Sequence, residues 1–181
     1  LAMGGLMQAL KIIPAYLEHT QNVRIDTGRG LEQFVNDLRR WVGETMAANP
    51  IRRIVVFSSP MAQYAEPYQD ARRVVDFCDV DSDKWRQYAD NKRWPMSALY
   101  RHEARQLLRY ERKVAAETDA ALFVSDPEAE LFRQLAPESH AKIGYFTNGV
   151  DTDYFSPHGA YASPYAAGER ALVFTGAMDY W

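Results

Sequence analysis

The 181-residue chain carries 24 acidic and 21 basic side chains, a formal net charge of −3, which leaves no basic footprint for nucleic acid. Its 47% hydrophobic content is that of a globular chain able to bury a sizeable core, and no apolar run is long enough to span a bilayer. One cysteine, Cys78, excludes an internal disulfide and suits a reducing compartment.

In chain order, Leu1 to Met7 are apolar but lack the basic n-region of a signal peptide. Residues 5–19 are helix-permissive, with Leu6, Leu10, Ile13 and Leu17 at helical spacing and Pro14 as a kink or break. Gly28 and Gly30 mark a loop. The clearest helix follows. Leu31, Phe34, Val35, Leu38, Trp41, Val42 and Met46 form one apolar stripe, and Asn49-Pro50 ends it. Such a stripe predicts a helix packed on a sheet.

The β-branched run from Arg53 to Ser59, closed by Pro60, predicts a buried strand. Met61 to Asp70 reads as loop or short helix. Arg73 to Cys78 predicts a second buried strand, with Cys78 as a small core residue rather than a nucleophile. The acidic stretch Asp79-Val80-Asp81-Ser82-Asp83 sits at its carboxyl end. A short helix is expected over 83–89 and a long one over 97–118. In the long one, basic residues alternate with Glu103, Glu111 and Glu117, the pattern of a solvated face.

Ala120 to Val124 predicts a third strand. Ser125-Asp126-Pro127-Glu128 has the form of a helix start, with an oxygen-bearing cap, an early proline and a Glu three residues on. Leu131, Phe132 and Leu135 are expected to pack that helix down. Lys142 to Phe146 predicts a fourth strand. Asn148-Gly149 then forms a turn, with Gly149 expected at positive φ, and Pro157, Gly159, Pro164 and Gly168 punctuate a linker. A fresh strand is expected from Ala171 to Gly176.

Alternating strands and helices predict an α/β, Rossmann-like parallel sheet flanked by helices. The expected division is a partial domain over 1–147, an interdomain linker over 148–169, and the first strand of a second domain over 170–181. A chain that opens without a strand and ends just inside a new one is expected to be cut at both ends.

The cluster Asp76, Asp79, Asp81 and Asp83 is the most suggestive chemistry, because ligands of open parallel sheets bind at strand carboxyl ends. Asp-Val-Asp has the form of a divalent-metal motif, which oxygen ligands would suit. Asp79 and Asp81 also have the spacing of the nucleophile and acid/base in phosphatases of the haloacid dehalogenase type. Against that reading, Asp83 stands where those enzymes have Thr, and no later Gly-Asp-x-x-x-Asp is present. The bland alternative is a solvated loop in which Asp81 or Ser82 caps the next helix. His19, His102, His140 and His158 show no ligand spacing. Trp85, Trp94 and Tyr100 could stack on a sugar or lipid acceptor, although aromatics in this number usually serve packing.

Asn148-Gly149-Val150-Asp151, followed by an aromatic residue and Ser156-Pro157, resembles the interdomain segment of retaining glycosyltransferases of the family 4 kind. Val74 to Ser82, Tyr110-Glu111-Arg112, Thr118 to Ser125 and Val173 to Trp181 resemble the same family. Together they look most like sugar transferases associated with exosortase (PEP-CTERM) systems, over roughly residues 35 to 181. The resemblance implies the two-domain GT-B fold, of which this chain would be an incomplete N-terminal, acceptor-side part.

It further implies transfer of a sugar from a nucleotide-sugar donor to a glycan or lipid-linked acceptor in surface or exopolysaccharide synthesis. No metal or other cofactor is expected, and the reaction would be cytoplasmic, with peripheral association at the inner face of the membrane. Asp79 would be the catalytic carboxylate, accepting a sugar hydroxyl or stabilising an oxocarbenium-like transition state. Asp81, Ser82 and Ser125 would bind substrate, Gly176 and Ala177 would approach the donor diphosphate, and Asn148 and Gly149 would form the hinge. The rest of the donor site would lie in a missing C-terminal domain, leaving this chain inactive by itself. A non-catalytic α/β binding module is the alternative from a different class.

Overall fold

The computed structural model describes residues 31–156, 158–159, 161–162, 164–166 and 168–174. The expected helix over 5–19, the glycine loop and the end of the last expected strand lie outside them, as do Gly176 and Ala177.

The described chain runs α1 (Leu31–Ala48), β1 (Arg53–Phe57), a 3-10 turn (Ser59–Tyr64), β2 (Arg72–Cys78), α2 (Asp81–Asp90), α3 (Met96–Glu117), β3 (Ala120–Phe123), α4 (Asp126–Leu135), a second 3-10 turn (Pro137–Lys142) and β4 (Ile143–Tyr145). The four strands form one all-parallel sheet in the order β1-β2-β3-β4. This is the expected Rossmann-like α/β architecture.

Because each strand is added on the same side of its predecessor, right-handed crossovers place the connections on one face of the sheet. Burial follows from that. Val56, Val75, Ala121 and Ile143 stand in register across the four strands, and all are buried. Phe77 and Phe123 stack at 5.3 Å between ring centroids, and Phe132 of α4 closes on them at 5.6 and 4.9 Å. Val80, Val114, Ala115, Ala129 and Ala136 complete this core. The opposite face is open at β1, where Val55 is 78% and Phe57 62% exposed. The expectation that β1 is buried on both sides is therefore corrected: its residues on the face away from the crossovers are exposed.

At the amino edge, Asp119 ties α3 to β2. Its carboxylate accepts the Arg73 N–H at 2.7 Å, and its own N–H donates to the Arg73 carbonyl at 2.9 Å. The buried Arg73 guanidinium donates to backbone carbonyls, Glu117 at the end of α3 and Ala65. Helix C-terminal carbonyls carry partial negative charge, which suits a cation there.

Within α1, Phe34, Val35, Leu38, Val42 and Met46 of the apolar stripe are half-buried, whereas Trp41 is 48% exposed. Contacts divide the chain into two compact units, Leu1–Thr147 and Asn148–Trp181. In the second, Asp151 folds a local turn by accepting the N–H groups of Asp153 (3.1 Å) and Tyr154 (2.9 Å). Two expectations for this unit are corrected. Gly149 is not in the left-handed region, which among the described glycines Gly168 alone occupies, at φ 86°. Ala171–Phe174 form no strand and are exposed, since no neighbouring strand there completes a ladder. Among the described residues, no helix is long and apolar enough to cross a membrane.

Candidate functional site

The site lies where β1, β2 and β3 end. Leaving β1, Ser58 takes φ 72° and ψ 135°, a region that side chains disfavour, while its N–H donates to the Asp76 carbonyl at 2.7 Å. Leaving β2, the register slips between Asp76 and Cys78, and Cys78 adopts φ 65°. The Asp76 carboxylate accepts the Cys78 N–H at 3.0 Å, so this aspartate props the bulged turn. Burial, then the charge and hydrogen bond of Asp76, push the Cys78 thiol up to about 12. A thiol so held is not a nucleophile, as its place in an apolar strand implied.

That turn delivers Asp79 and then α2. The expected start of α2 at Asp83 is corrected to Asp81, and Val80 stands at the cap without a side chain to serve it. Carboxylates from two other helices do the capping instead. Glu128 of α4 accepts the Val80 N–H at 2.8 Å, and Glu111 of α3 accepts the Ser82 N–H at 3.1 Å as well as bonding its hydroxyl. Orphan N–H groups at a helix start need such partners, and the helix dipole favours negative charge there. Neither Asp81 nor Ser82 is the cap.

Glu111 is fully buried. Burial pushes its carboxyl up to about 8, against the hydrogen bonds from Ser82 that favour the charged form. Its placement corrects the solvated-face reading for Glu111 alone, since Arg101, Arg105, Arg109, Arg112, Lys113 and Glu117 of the same helix are exposed as expected. Ser82 is likewise corrected: it is buried, and its hydroxyl turns inward to Glu111 rather than toward a ligand.

Asp79 and Asp81 converge on Lys84. The ammonium lies 2.6 Å from Asp79 and 3.5 Å from Asp81, with the Asp79 side chain 38% exposed. Burial raises the Asp81 carboxyl above its usual range, although Lys84 opposes the shift. Asp83 points elsewhere. Burial works against its charge, but hydrogen bonds from Arg86 and Gln87 outweigh it and lower the carboxyl. Asp76 and Asp83 thus serve tasks apart from the Asp79–Asp81 pair, and among the described residues no group of three or more His, Cys, Asp or Glu is placed to hold a metal ion.

Ser125, at the end of β3, caps α4 as expected by accepting the Glu128 N–H at 3.4 Å. The reciprocal half of that capping box is replaced, because the Glu128 carboxylate reaches Val80. Asn148 and Gly149 are exposed and belong to the second unit. Sequence reasoning missed Lys84 and Glu111. The first stands three residues after Asp81, and the second shares helical phase with the buried Ala104, Leu107 and Val114.

Chemically, the edge offers one accessible carboxylate held by an ammonium, a pair able to accept from and donate to vicinal hydroxyls. No family model, curated protein or solved structure matches the chain.

Proposed function

We propose that the chain forms the acceptor-side domain of a retaining glycosyltransferase with two Rossmann-like domains. The reaction would move a sugar from a nucleotide-sugar to a glycan or lipid-linked acceptor in surface or exopolysaccharide synthesis. The observation that carries the reading is the half-open Asp79 carboxylate at the carboxyl end of β2, fixed by Lys84. The sequence resemblance of the flanking stretches supports it.

In this reading, the sugar C1–O bond to the diphosphate breaks, an acceptor hydroxyl oxygen bonds to C1, and its proton leaves with the nucleoside diphosphate. Asp79 accepts a hydrogen bond from a sugar hydroxyl and offsets positive charge developing at C1. Lys84 holds Asp79 in one rotamer and donates to a neighbouring acceptor oxygen. Asp81 and Ser125 flank the same edge. Gly176 and Ala177 belong to the donor side, together with the remainder of that domain.

The test is saturation-transfer NMR of the 181-residue chain with soluble oligosaccharide acceptors, alongside a nucleotide-sugar turnover assay. Asp79→Asn is expected to weaken acceptor binding by about tenfold, the loss of one charge-assisted hydrogen bond. The chain alone is expected not to turn over nucleotide-sugar. Equal binding by Asp79→Asn, or turnover by the chain alone, would refute the assignment.

A stand-alone binding module is the second reading. What favours it is that each aspartate of the cluster already has a partner within the fold. It would keep glycan binding but gain no transfer when a donor domain is supplied.

A further inference from the structure

Helices α2 and α3 form an antiparallel hairpin that projects from the carboxyl edge of the sheet. α2 begins just past β2, where Ser82 meets Glu111, and α3 runs back past that level to reach the start of β3 at Ala120. Met96, the first residue of α3, is fifteen residues before Glu111, so the tip stands about 22 Å beyond that level at 1.5 Å per residue. The arm is stiffened from within. Trp85 packs edge-on to Tyr88 at 6.1 Å and to Tyr100 at 5.2 Å, and Arg101 reaches Asp90 across the hairpin at 3.7 Å.

The tip itself has the composition of neither a core nor an ordinary solvated turn. Trp94 is 82% exposed, and Met96 and Leu99, one turn apart on the same side of α3, are exposed too. Beside them, Lys92 and Arg93 are exposed and make no ion pair among the described residues, whereas Arg86 and Arg101 both engage Asp90. From residue 86 to 105 there are five basic side chains against two acidic ones, in a chain whose net charge is −3. The positive charge is therefore local.

We infer that this hairpin tip docks on an anionic bilayer surface, with Trp94, Met96 and Leu99 entering the headgroup region and Lys92 and Arg93 pairing with lipid phosphates. Tryptophan is favoured at that depth because its ring is apolar and its N–H needs a polar partner. Exposed cations flanking an apolar tip match the negative surface potential of such a leaflet. A few side chains on a narrow tip fall short of the roughly 800 Å² per partner that a stable protein–protein contact buries. Docking at this end turns the edge of the sheet that carries Asp79 toward the bilayer, about 22 Å short of the tip. That use of the contact, presenting a lipid-linked acceptor, rests on the proposed transferase reading, whereas the contact itself does not.

The test is flotation of the full 181-residue chain with vesicles of phosphatidylcholine alone and of equal parts phosphatidylcholine and phosphatidylglycerol. Binding to the mixed vesicles only, weakening as salt rises, is expected. Removing both tip charges in Lys92→Gln/Arg93→Gln should lower partition by about thirtyfold. Trp94→Ala should lower it by about tenfold or more. Both changes fall on exposed side chains, so circular dichroism should match the unaltered chain.

Failure to bind mixed vesicles would overturn the inference, as would equal binding to both vesicle types. So would a Trp94→Ala change that alters self-association in the absence of lipid, which would make the tip a protein contact. Because flotation uses neither donor nor acceptor, it can fail while the transferase reading stands, and the glycan assays can fail while flotation succeeds.

Discussion

The buried Glu111 carboxyl makes stability depend on pH in a direction opposite to that of most paired carboxylates. Its value moves from the ordinary 4.5 to about 8 on folding, so between those limits the folded chain holds a proton that the unfolded chain has released. The stabilisation is fully present below the unfolded value. It declines as pH rises and is gone once pH passes the folded value. At 1.36 kcal/mol per unit, the decline amounts to about 4 to 5 kcal/mol, a large share of the stability of a domain this size. The raised Asp81 carboxyl adds to the decline with the same sign.

Glu111→Gln tests this directly. The amide keeps an acceptor for the Ser82 N–H and supplies a donor for the Ser82 hydroxyl, but it cannot ionise. Urea denaturation of both proteins at several values between about pH 5 and 8 should find them alike at the acid end. At the alkaline end the variant should be more stable by a few kcal/mol. Parallel profiles would refute the reasoning, because they would mean that Glu111 is ionised inside the fold.

Three further outcomes are expected. Phe132→Ala removes one ring of the buried Phe77–Phe123–Phe132 cluster and should cost about 3 to 5 kcal/mol by denaturant titration; a loss under about 1 kcal/mol would contradict the packing. Ser58→Gly removes a side chain from φ 72°, ψ 135°, where essentially only glycine is at ease, and should raise stability by about 1 kcal/mol. Destabilisation would mean that the Ser58 side chain contributes more than its backbone costs. Cys78, with its thiol pushed up to about 12 from 9.0, should hold on the order of a thousandfold less thiolate than an ordinary cysteine at mildly alkaline pH. Iodoacetamide labelling should therefore be slow in the native chain and fast in urea, and similar rates would count against the burial and Asp76 contact.

Much of the fold was legible because buried parallel strands read as short apolar runs and their crossover helices as stripes. Strands β1 to β4 fall within one or two residues of the runs that predicted them. The helix over 97–118 is α3, shifted by one residue at each end. The open face of β1 was not legible: Val55 and Val56 are the same residue type, and only the direction of every crossover decides which of the two is covered. Likewise, nothing local announces φ 65° at a cysteine, since the bulge exists only against the β3 register.

The site was legible in place but not in roles, because spacing along the chain does not say which partner a carboxylate meets. Asp79 and Asp81 were expected to act beside Ser82. Instead, Lys84 gathers the two aspartates, while Glu111 draws Ser82 into the interior. Glu111 carried a sequence signal that was misread. Alternating charges along α3 suggested a wet face, yet Ala104, Leu107, Glu111 and Val114 recur at helical spacing and all face inward. A charged residue in phase with an apolar stripe is costly to bury unless something needs it there. Here that need is the start of α2, whose N–H groups have no cap of their own. The same helix start fixes the base of the arm that carries Trp94 outward, so the interior carboxylate and the exposed tip belong to one rigid lever set on the carboxyl edge of the sheet.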